Sequence, residues 1–159
     1  MAFSLTSPAF RDGERIPARY TADGENFSPP LQWSDPPPGT KSFALVVEDP
    51  DAPSGTFRHW GLYNIMGERT VLPEGVGGSR AKTEDIGKNI GKGINDFGEP
   101  NYQGPAPPRG HGTHHYHFKL AALDVDALSQ APKLAVGDIW KAAQTHLLGQ
   151  AELVGTYSR

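Results

Sequence analysis

The sequence predicts an all-β fold with minor helices: a sandwich of two antiparallel β-sheets, with one or two helices in the C-terminal half. The first observation is that the apolar runs are short and are separated by turn residues, with 19 glycines and 15 prolines spread along the 159 residues. The second is that only one long segment has helical spacing of its apolar residues. A chain of this length fits one domain, residues 1–159, with one hydrophobic core.

Four runs have the apolar, β-branched or aromatic content of strands, and turn residues bound them. They are residues 42–47, 60–65, 116–123 and 151–157. The first run is apolar almost throughout, which is typical of a buried strand. The last run alternates in character, as a strand with one buried face does.

The helical segment lies between the third and fourth runs. Its apolar residues follow the spacing i, i+3, i+4, i+7 and i+11, namely Val136, Ile139, Trp140, Ala143 and Leu147. Gly149 is placed where a helix C-cap is common. The sequence therefore predicts a helix from Val136 through Leu147, and a second, shorter helix over 125–130.

Composition and charge exclude several classes of protein. The formal net charge is −3 and no run of Lys and Arg occurs, which argues against a nucleic-acid binder. The absence of cysteine excludes disulfides, thiolate catalysis and Cys-zinc sites. No secretory signal and no transmembrane segment is recognisable, so we expect a cytoplasmic protein.

The first candidate site motif follows the run at 42–47. It reads Asp49-Pro50-Asp51-Ala52-Pro53, and its two prolines restrict the backbone on both sides. A stiff loop after a strand can hold the Asp49 carboxylate at a fixed position. The alternative is an ordinary turn in which the aspartates cap local N–H groups. His59, at the start of the next run, is either a hydrogen-bond donor near Asp49 or a partly buried histidine at a strand end.

The second candidate motif leads into the run at 116–123. Because strand side chains alternate between faces, His114, Tyr116 and Phe118 should share one face, and His115 and His117 the other. Alternation also separates the four histidines at positions 111, 114, 115 and 117, so we expect no native metal site. We expect no cofactor either. Neither Gly87–Gly93 nor Gly91–Asp96 completes a phosphate-binding loop, and no Gly-x-Ser-x-Gly occurs.

Taken together, these motifs resemble the phosphatidylethanolamine-binding protein family, also called Raf-kinase-inhibitor-like proteins, and its bacterial branch above all. The family's Asp-Pro-Asp-x-Pro motif corresponds to Asp49–Pro53, and its pocket histidine to His59. Its Gly-x-His-Arg-Tyr motif corresponds to Gly112–Tyr116, and its proline-rich lead-in to Gly104–Pro108. The similarity extends over nearly the whole chain, to Ser28–Trp33, Asn95–Gly98 and Ala151–Tyr157.

The resemblance implies a β-sandwich with a small cavity for phosphate-like or carboxylate anions. It implies these ligand-binding residues: Asp49, Asp51, Phe57, His59, Gly104, Pro105, Pro107, Pro108, His114 and Tyr116. The chain departs from the family at two positions. Phe57 replaces a common Trp, and His115 replaces the usual Arg, a permanent bidentate cation. Strand alternation should direct position 115 away from the cavity.

We therefore expect a binding module for a small anion such as phosphate, phosphoethanolamine or a carboxylate. One alternative is a regulator that inhibits a kinase or a protease through the rim of the pocket, which exposed aromatic residues such as Phe57, Trp60 or Tyr102 would favour. Another is a hydrolase of small phosphate esters. The site has no obvious nucleophile, so a binding role is favoured over an enzyme. The sequence leaves a homodimer open.

Overall fold

The computed structural model describes residues 2–78, 90–128 and 134–159. Eight strands and one α-helix are defined in these ranges, with a short 3-10 turn at Ala18–Tyr20. The strands are β1 (Ser4–Thr6), β2 (Leu31–Ser34), β3 (Ser42–Asp49), β4 (Phe57–Met66), β5 (Val71–Leu72), β6 (Gly91–Lys92), β7 (His114–Leu123) and β8 (Leu147–Tyr157), and the helix is α1 (Val136–Gln144). None of the described helices is both long and apolar enough to cross a membrane.

The strands form two antiparallel sheets, which confirms the predicted fold class. One sheet has the order β1-β2-β5, and the other has the order β6-β4-β3-β7-β8. Apolar side chains from both sheets pack together in the larger core cluster, including Trp33 of β2, Phe43 of β3 and Phe118 of β7. Burial of such large side chains is the main favourable contribution to folding.

The helix α1 covers the other face of the five-stranded sheet. Val136, Ile139 and Ala143 are buried there against Ala44 and Val46 of β3. The strand β3 is therefore buried on both faces, which explains why its sequence is apolar at consecutive positions instead of alternating. The predicted buried strand at 42–47 is confirmed, and it continues to Asp49.

The helix ends earlier than the sequence predicted. It stops at Gln144 with Thr145 as its C-cap, while Leu147 pairs with Leu123 in the sheet. Leu147 and Gly149 therefore belong to β8, because pairing along β7 continues through them. The second predicted helix is absent at residues 125–128, which form a bend, and the remainder of that prediction lies outside the described residues.

The sheet topology brings the two candidate motifs together. Antiparallel pairing places the end of β3 beside the beginnings of β4 and β7, with Asp49 opposite Phe57 and Glu48 opposite His117. Strand β4 starts at Phe57, three residues before the predicted run. Its pairing with β3 continues past a register shift after Val47, as far as the pair formed by Asp49 and Phe57. His59 is therefore inside a strand, where its position is held by the sheet.

Candidate functional site

A cavity of about 290 Å³ opens at this end of the five-stranded sheet. The strands β3, β4 and β7 supply its carboxylate, imidazole and phenol groups together with Phe57, and three loops supply the remaining lining residues, which are apolar except for Ser54. The lining residues are Asp49, Ala52, Pro53, Ser54, Phe57, His59, Phe97, Ala106, Pro107, Pro108, His114 and Tyr116. Seven of the ten residues named from the sequence lie in this lining: Asp49, Phe57, His59, Pro107, Pro108, His114 and Tyr116.

At the base of the cavity, Asp49 and His114 form a buried pair. The exposed fraction is 3% for Asp49 and 1% for His114. The Nδ1–H of His114 donates to Oδ2 of Asp49 at 2.6 Å, while Oδ1 accepts the backbone N–H of Asp51 at 2.9 Å. Both oxygens of the carboxylate are thus occupied by protein donors, as a buried carboxylate requires. Asp49 both orients the His114 ring and holds the loop that follows β3.

His59 is also buried, with 5% of its surface exposed. Its Nδ1 is 2.7 Å from the carbonyl oxygen of Gln103. A carbonyl oxygen only accepts, so Nδ1 carries the proton, and Nε2 remains as the ring nitrogen available to a ligand. Burial lowers the pKa of His59 below its usual range, despite the opposing effect of its bond to Gln103. The neutral ring is therefore favoured when the cavity holds no anion.

Tyr116 supplies a phenol between the two histidines. Its ring lies 5.4 Å from that of His59 and 6.4 Å from that of His114, measured between centroids. Burial, with a smaller contribution from the Asp49 charge, raises the pKa of Tyr116, so the phenol stays protonated. Its hydroxyl has no hydrogen-bond partner in the described part of the chain, which leaves the O–H free to donate to a ligand.

Three of the residues named from the sequence lie outside the cavity lining: Asp51, Gly104 and Pro105. Asp51 faces the other way, and its Oδ2 accepts the backbone N–H and the Nδ1–H of His115, both at 2.8 Å. This bond to His115 is the main cause that lowers the pKa of Asp51. Gly104 and Pro105 are instead packed against the segment that follows the 3-10 turn, where the carbonyl of Pro105 accepts the N–H of Ala22 at 3.0 Å.

The close packing at Gly104 explains why glycine occupies this position. A Cβ there would approach the carbonyl oxygen of Tyr20 to 2.3 Å, which no side chain tolerates. The backbone N–H of Gly104 donates to Oδ1 of Asn26 at 2.8 Å. Gly104 and Pro105 therefore support the wall from behind, while Ala106, Pro107 and Pro108 form its surface.

The sequence interpretation missed five lining residues and one neighbour of the site. Ala52, Pro53 and Ser54 belong to or follow the aspartate motif, and Ala106 belongs to the proline-rich segment, so their proximity was a usable signal. Phe97 is distant in sequence, and no pattern in the chain indicates that it lies 4.7 Å from Phe57, between ring centroids. The neighbour is His111, whose Nδ1 lies 2.6 Å from Nε2 of His114.

The histidines of β7 alternate as the sequence predicted. His114 and Tyr116 are buried on the cavity side, whereas His115 is exposed and His117 is half-buried. His115 bonds Asp51 and His117 bonds Glu152 at 3.2 Å, both away from the cavity. Among residues 2–78, 90–128 and 134–159, no group of three or more His, Cys, Asp or Glu side chains has the arrangement of a metal site.

Comparison with known proteins supplies the family. The sequence model described as phosphatidylethanolamine-binding protein matches residues 6–158. A UPF0098 protein of Aquifex aeolicus is 44% identical over 153 residues, which cover 96% of this chain and 86% of that protein.

Two solved structures have the same fold over almost the whole chain. Escherichia coli YbcL, described as a member of the mammalian PEBP family, superposes with a TM-score of 0.93 at 32% identity, covering 100% of this chain and 99% of its own. The PEBP homologue CT736 of Chlamydia trachomatis gives a TM-score of 0.86 at 38% identity, covering 99% and 98% respectively. Sequence and fold agree, and the chain belongs to the phosphatidylethanolamine-binding protein family.

Proposed function

We propose that this protein is a binding module whose cavity takes a small oxyanion: a phosphate, a phosphorylated head group such as phosphoethanolamine, or a carboxylate. The observation that carries the proposal is the convergence of His59, His114 and Tyr116 on one cavity of about 290 Å³. The phenol donates in its neutral form, and each imidazole donates from Nε2 once it is protonated. Hydrogen bonds from charged donors are the stronger ones, at about 1.5–3 kcal/mol each.

The carboxylate of Asp49 opposes an anion, and the arrangement around it supports a way to offset that repulsion. Two like charges about 4 Å apart repel by roughly 4 kcal/mol at an effective dielectric constant of 20. The oxygens of Asp49 are already bonded to His114 and to the backbone of Asp51, so the carboxylate has a positive or polar partner on each side. Protonation of His59 and His114 would compensate the remaining repulsion.

The size and walls of the cavity favour a ligand larger than free phosphate. A volume of about 290 Å³ is close to the lower end of the roughly 300–1,000 Å³ that is typical of pockets for small organic ligands. Much of the lining is apolar, including Ala52, Pro53, Phe57, Pro107 and Pro108. A phosphate carrying a short organic group would contact both the polar base and these walls.

Anion affinity is expected to rise as the pH falls from 8 to 6. Nδ1 of His59 is committed to a carbonyl, so the neutral ring presents a lone pair at Nε2 and must gain a proton before it can donate to an anion. Because burial lowers the pKa of His59, the protonated fraction in the free protein is small at pH 8 and is still increasing at pH 6. Each proton taken up on binding strengthens affinity by at most about tenfold per pH unit.

Acetate and sulfate are suitable probes for this dependence, because neither changes its charge between pH 8 and pH 6. Calorimetric titrations at both ends of the range should therefore report the protonation of the protein alone. Tighter binding of both anions at pH 6 is the expected result. Equal dissociation constants at pH 6 and pH 8 would contradict the role given to the histidines.

The second candidate function, inhibition of a kinase or a protease through the rim, has one supporting observation. Phe97 is 51% exposed beside the half-buried Phe57, so an aromatic edge borders the opening. Trp60 and Tyr102, which the sequence offered as further rim aromatics, are instead buried at 0% and 4% exposure. A Phe97→Ser variant whose inhibition of a given kinase or protease falls by a larger factor than its affinity for phosphate would favour this role.

A hydrolase of small phosphate esters has less support. In the described part of the chain, neither His59 nor His114 is hydrogen-bonded to a Ser or Thr hydroxyl, as an activated nucleophile requires. The Asp49–His114 pair has the form of an oriented base, but its outer nitrogen is bonded to His111. Binding without turnover is therefore the function that we propose.

A further inference from the structure

We propose that His111 competes with the ligand for His114, and that binding of an oxyanion displaces the His111 side chain. This inference rests on the proposed oxyanion site and adds a residue that controls access to it. His111 is not part of the cavity lining, yet it bonds directly to one of the lining side chains.

The first step is that His114 has only one nitrogen to offer a ligand. Its Nδ1–H is bonded to Asp49 at 2.6 Å, and the pair is buried. A ligand can therefore reach this ring only at Nε2. A ring nitrogen carries either one lone pair or one N–H in the plane of the ring, so it makes one strong hydrogen bond at a time.

The second step is that this nitrogen is already occupied. Nδ1 of His111 lies 2.6 Å from Nε2 of His114, and the two ring centroids are 4.8 Å apart. When His114 is neutral, its Nε2 accepts a hydrogen bond from the Nδ1–H of His111. When His114 is protonated, its Nε2–H points at His111 instead of at the cavity. In both states an anion can bond to His114 only after the His111 ring has left.

The third step is that the side chain of His111 is weakly held. The residue is exposed, and within the described ranges its ring makes a hydrogen bond and an aromatic contact to His114 alone. The glycines on either side have φ of +76° at Gly110 and +94° at Gly112. Both lie in the left-handed region that glycine adopts without strain. The backbone N–H of His111 donates to the carbonyl of Pro108 at 3.2 Å, so the ring would leave His114 by rotation of the side chain while the backbone keeps this bond.

The competition should reduce the affinity of the wild-type protein by a modest factor. A single neutral hydrogen bond has a net value that corresponds to about 2- to 12-fold in an equilibrium constant. Removing the His111 ring removes that competition and leaves Nε2 of His114 free. The variant His111→Ala is therefore expected to bind phosphate about 2- to 12-fold more tightly than wild type.

Calorimetric titration of inorganic phosphate into wild type, His111→Ala and His115→Ala tests this inference. His115 is a neighbouring histidine on the opposite face, bonded to Asp51, so His115→Ala should bind like wild type. Equal or weaker binding by His111→Ala would overturn the inference, and weaker binding would make His111 a ligand instead. If phosphate binds neither wild type nor His111→Ala, the oxyanion site fails and the inference fails with it.

Nitrogen-15 NMR of the histidine rings provides a second readout that a structural role would not change. In the free wild-type protein, the coupling across the hydrogen bond between His111 Nδ1 and His114 Nε2 should be observable. Saturation with phosphate should abolish it. Persistence of this coupling at saturating phosphate would show that the bond between His111 and His114 remains while phosphate is bound, and would overturn the proposed displacement of His111.

Discussion

Replacing His59 with alanine is expected to weaken phosphate binding by about 10- to 150-fold. The imidazolium of His59 would donate one charged hydrogen bond from Nε2, and such a bond contributes about 1.5–3 kcal/mol. The ring is held in place for this role by its bond to Gln103, and its backbone lies within β4. The loss should extend to phosphoethanolamine and to acetate, because all three anions present oxygen acceptors. Isothermal titration calorimetry with each anion measures the effect.

The matched control for this variant is His117→Ala. His117 belongs to the same sheet but faces away from the cavity, where it bonds Glu152. Its loss should leave all three dissociation constants within about twofold of wild type. Circular dichroism and thermal unfolding of both variants separate loss of the ligand contact from loss of the fold. If folded His59→Ala binds as tightly as wild type, His59 does not contact the anion.

Replacing Asp49 with alanine is expected to reduce the free energy of unfolding by about 3 kcal/mol. Loss of the carboxylate leaves the Nδ1–H of His114 buried without an acceptor, and leaves the N–H of Asp51 without its bond. Removing one partner of a buried pair lowers the free energy of unfolding by about 3–5 kcal/mol when the remaining group is charged, and by about 1–3 kcal/mol when it is neutral. For a chain of this length, the midpoint of thermal unfolding should fall by about 6–12 °C.

Asp51→Ala is the control for this second variant. The Asp51 side chain is 42% exposed and its partner His115 is 51% exposed, so its ion pair is screened by water. Its removal should change the free energy of unfolding by less than about 1 kcal/mol. Chemical denaturation at pH 7 measures both variants. Equal destabilisation by the two substitutions would contradict the distinction between a buried pair at Asp49 and an exposed pair at Asp51.

The sequence predicted the cavity-facing residues of β7 because strand geometry has a fixed period. Alternation assigned His114 and Tyr116 to one face and His115 to the other, and the structure confirms this arrangement. The same rule directs His115 away from the cavity, where its side chain bonds Asp51 on the outer face. A period of two is a local property, so sequence alone was sufficient here.

Loops and long-range contacts were less predictable. The motif placed Asp49 and Asp51 two residues apart, which in a strand would direct both to one face, but β3 ends at Asp49 and the turn redirects Asp51 to His115. Phe97 and His111 reach the site through turns whose geometry depends on distant packing. The early end of α1 has the same origin. Leu147 fits the helical spacing of apolar residues, but it pairs with Leu123 of β7 and therefore belongs to the sheet.

A crystal structure of the protein grown with phosphate is the most direct test of the oxyanion site. We expect one anion in the cavity, with oxygen atoms within about 3.2 Å of Nε2 of His59 and of the hydroxyl of Tyr116. An empty cavity at a phosphate concentration that saturates the calorimetric titration would contradict the site. An anion bound instead on the outer face, beside His115 or His117, would contradict it equally.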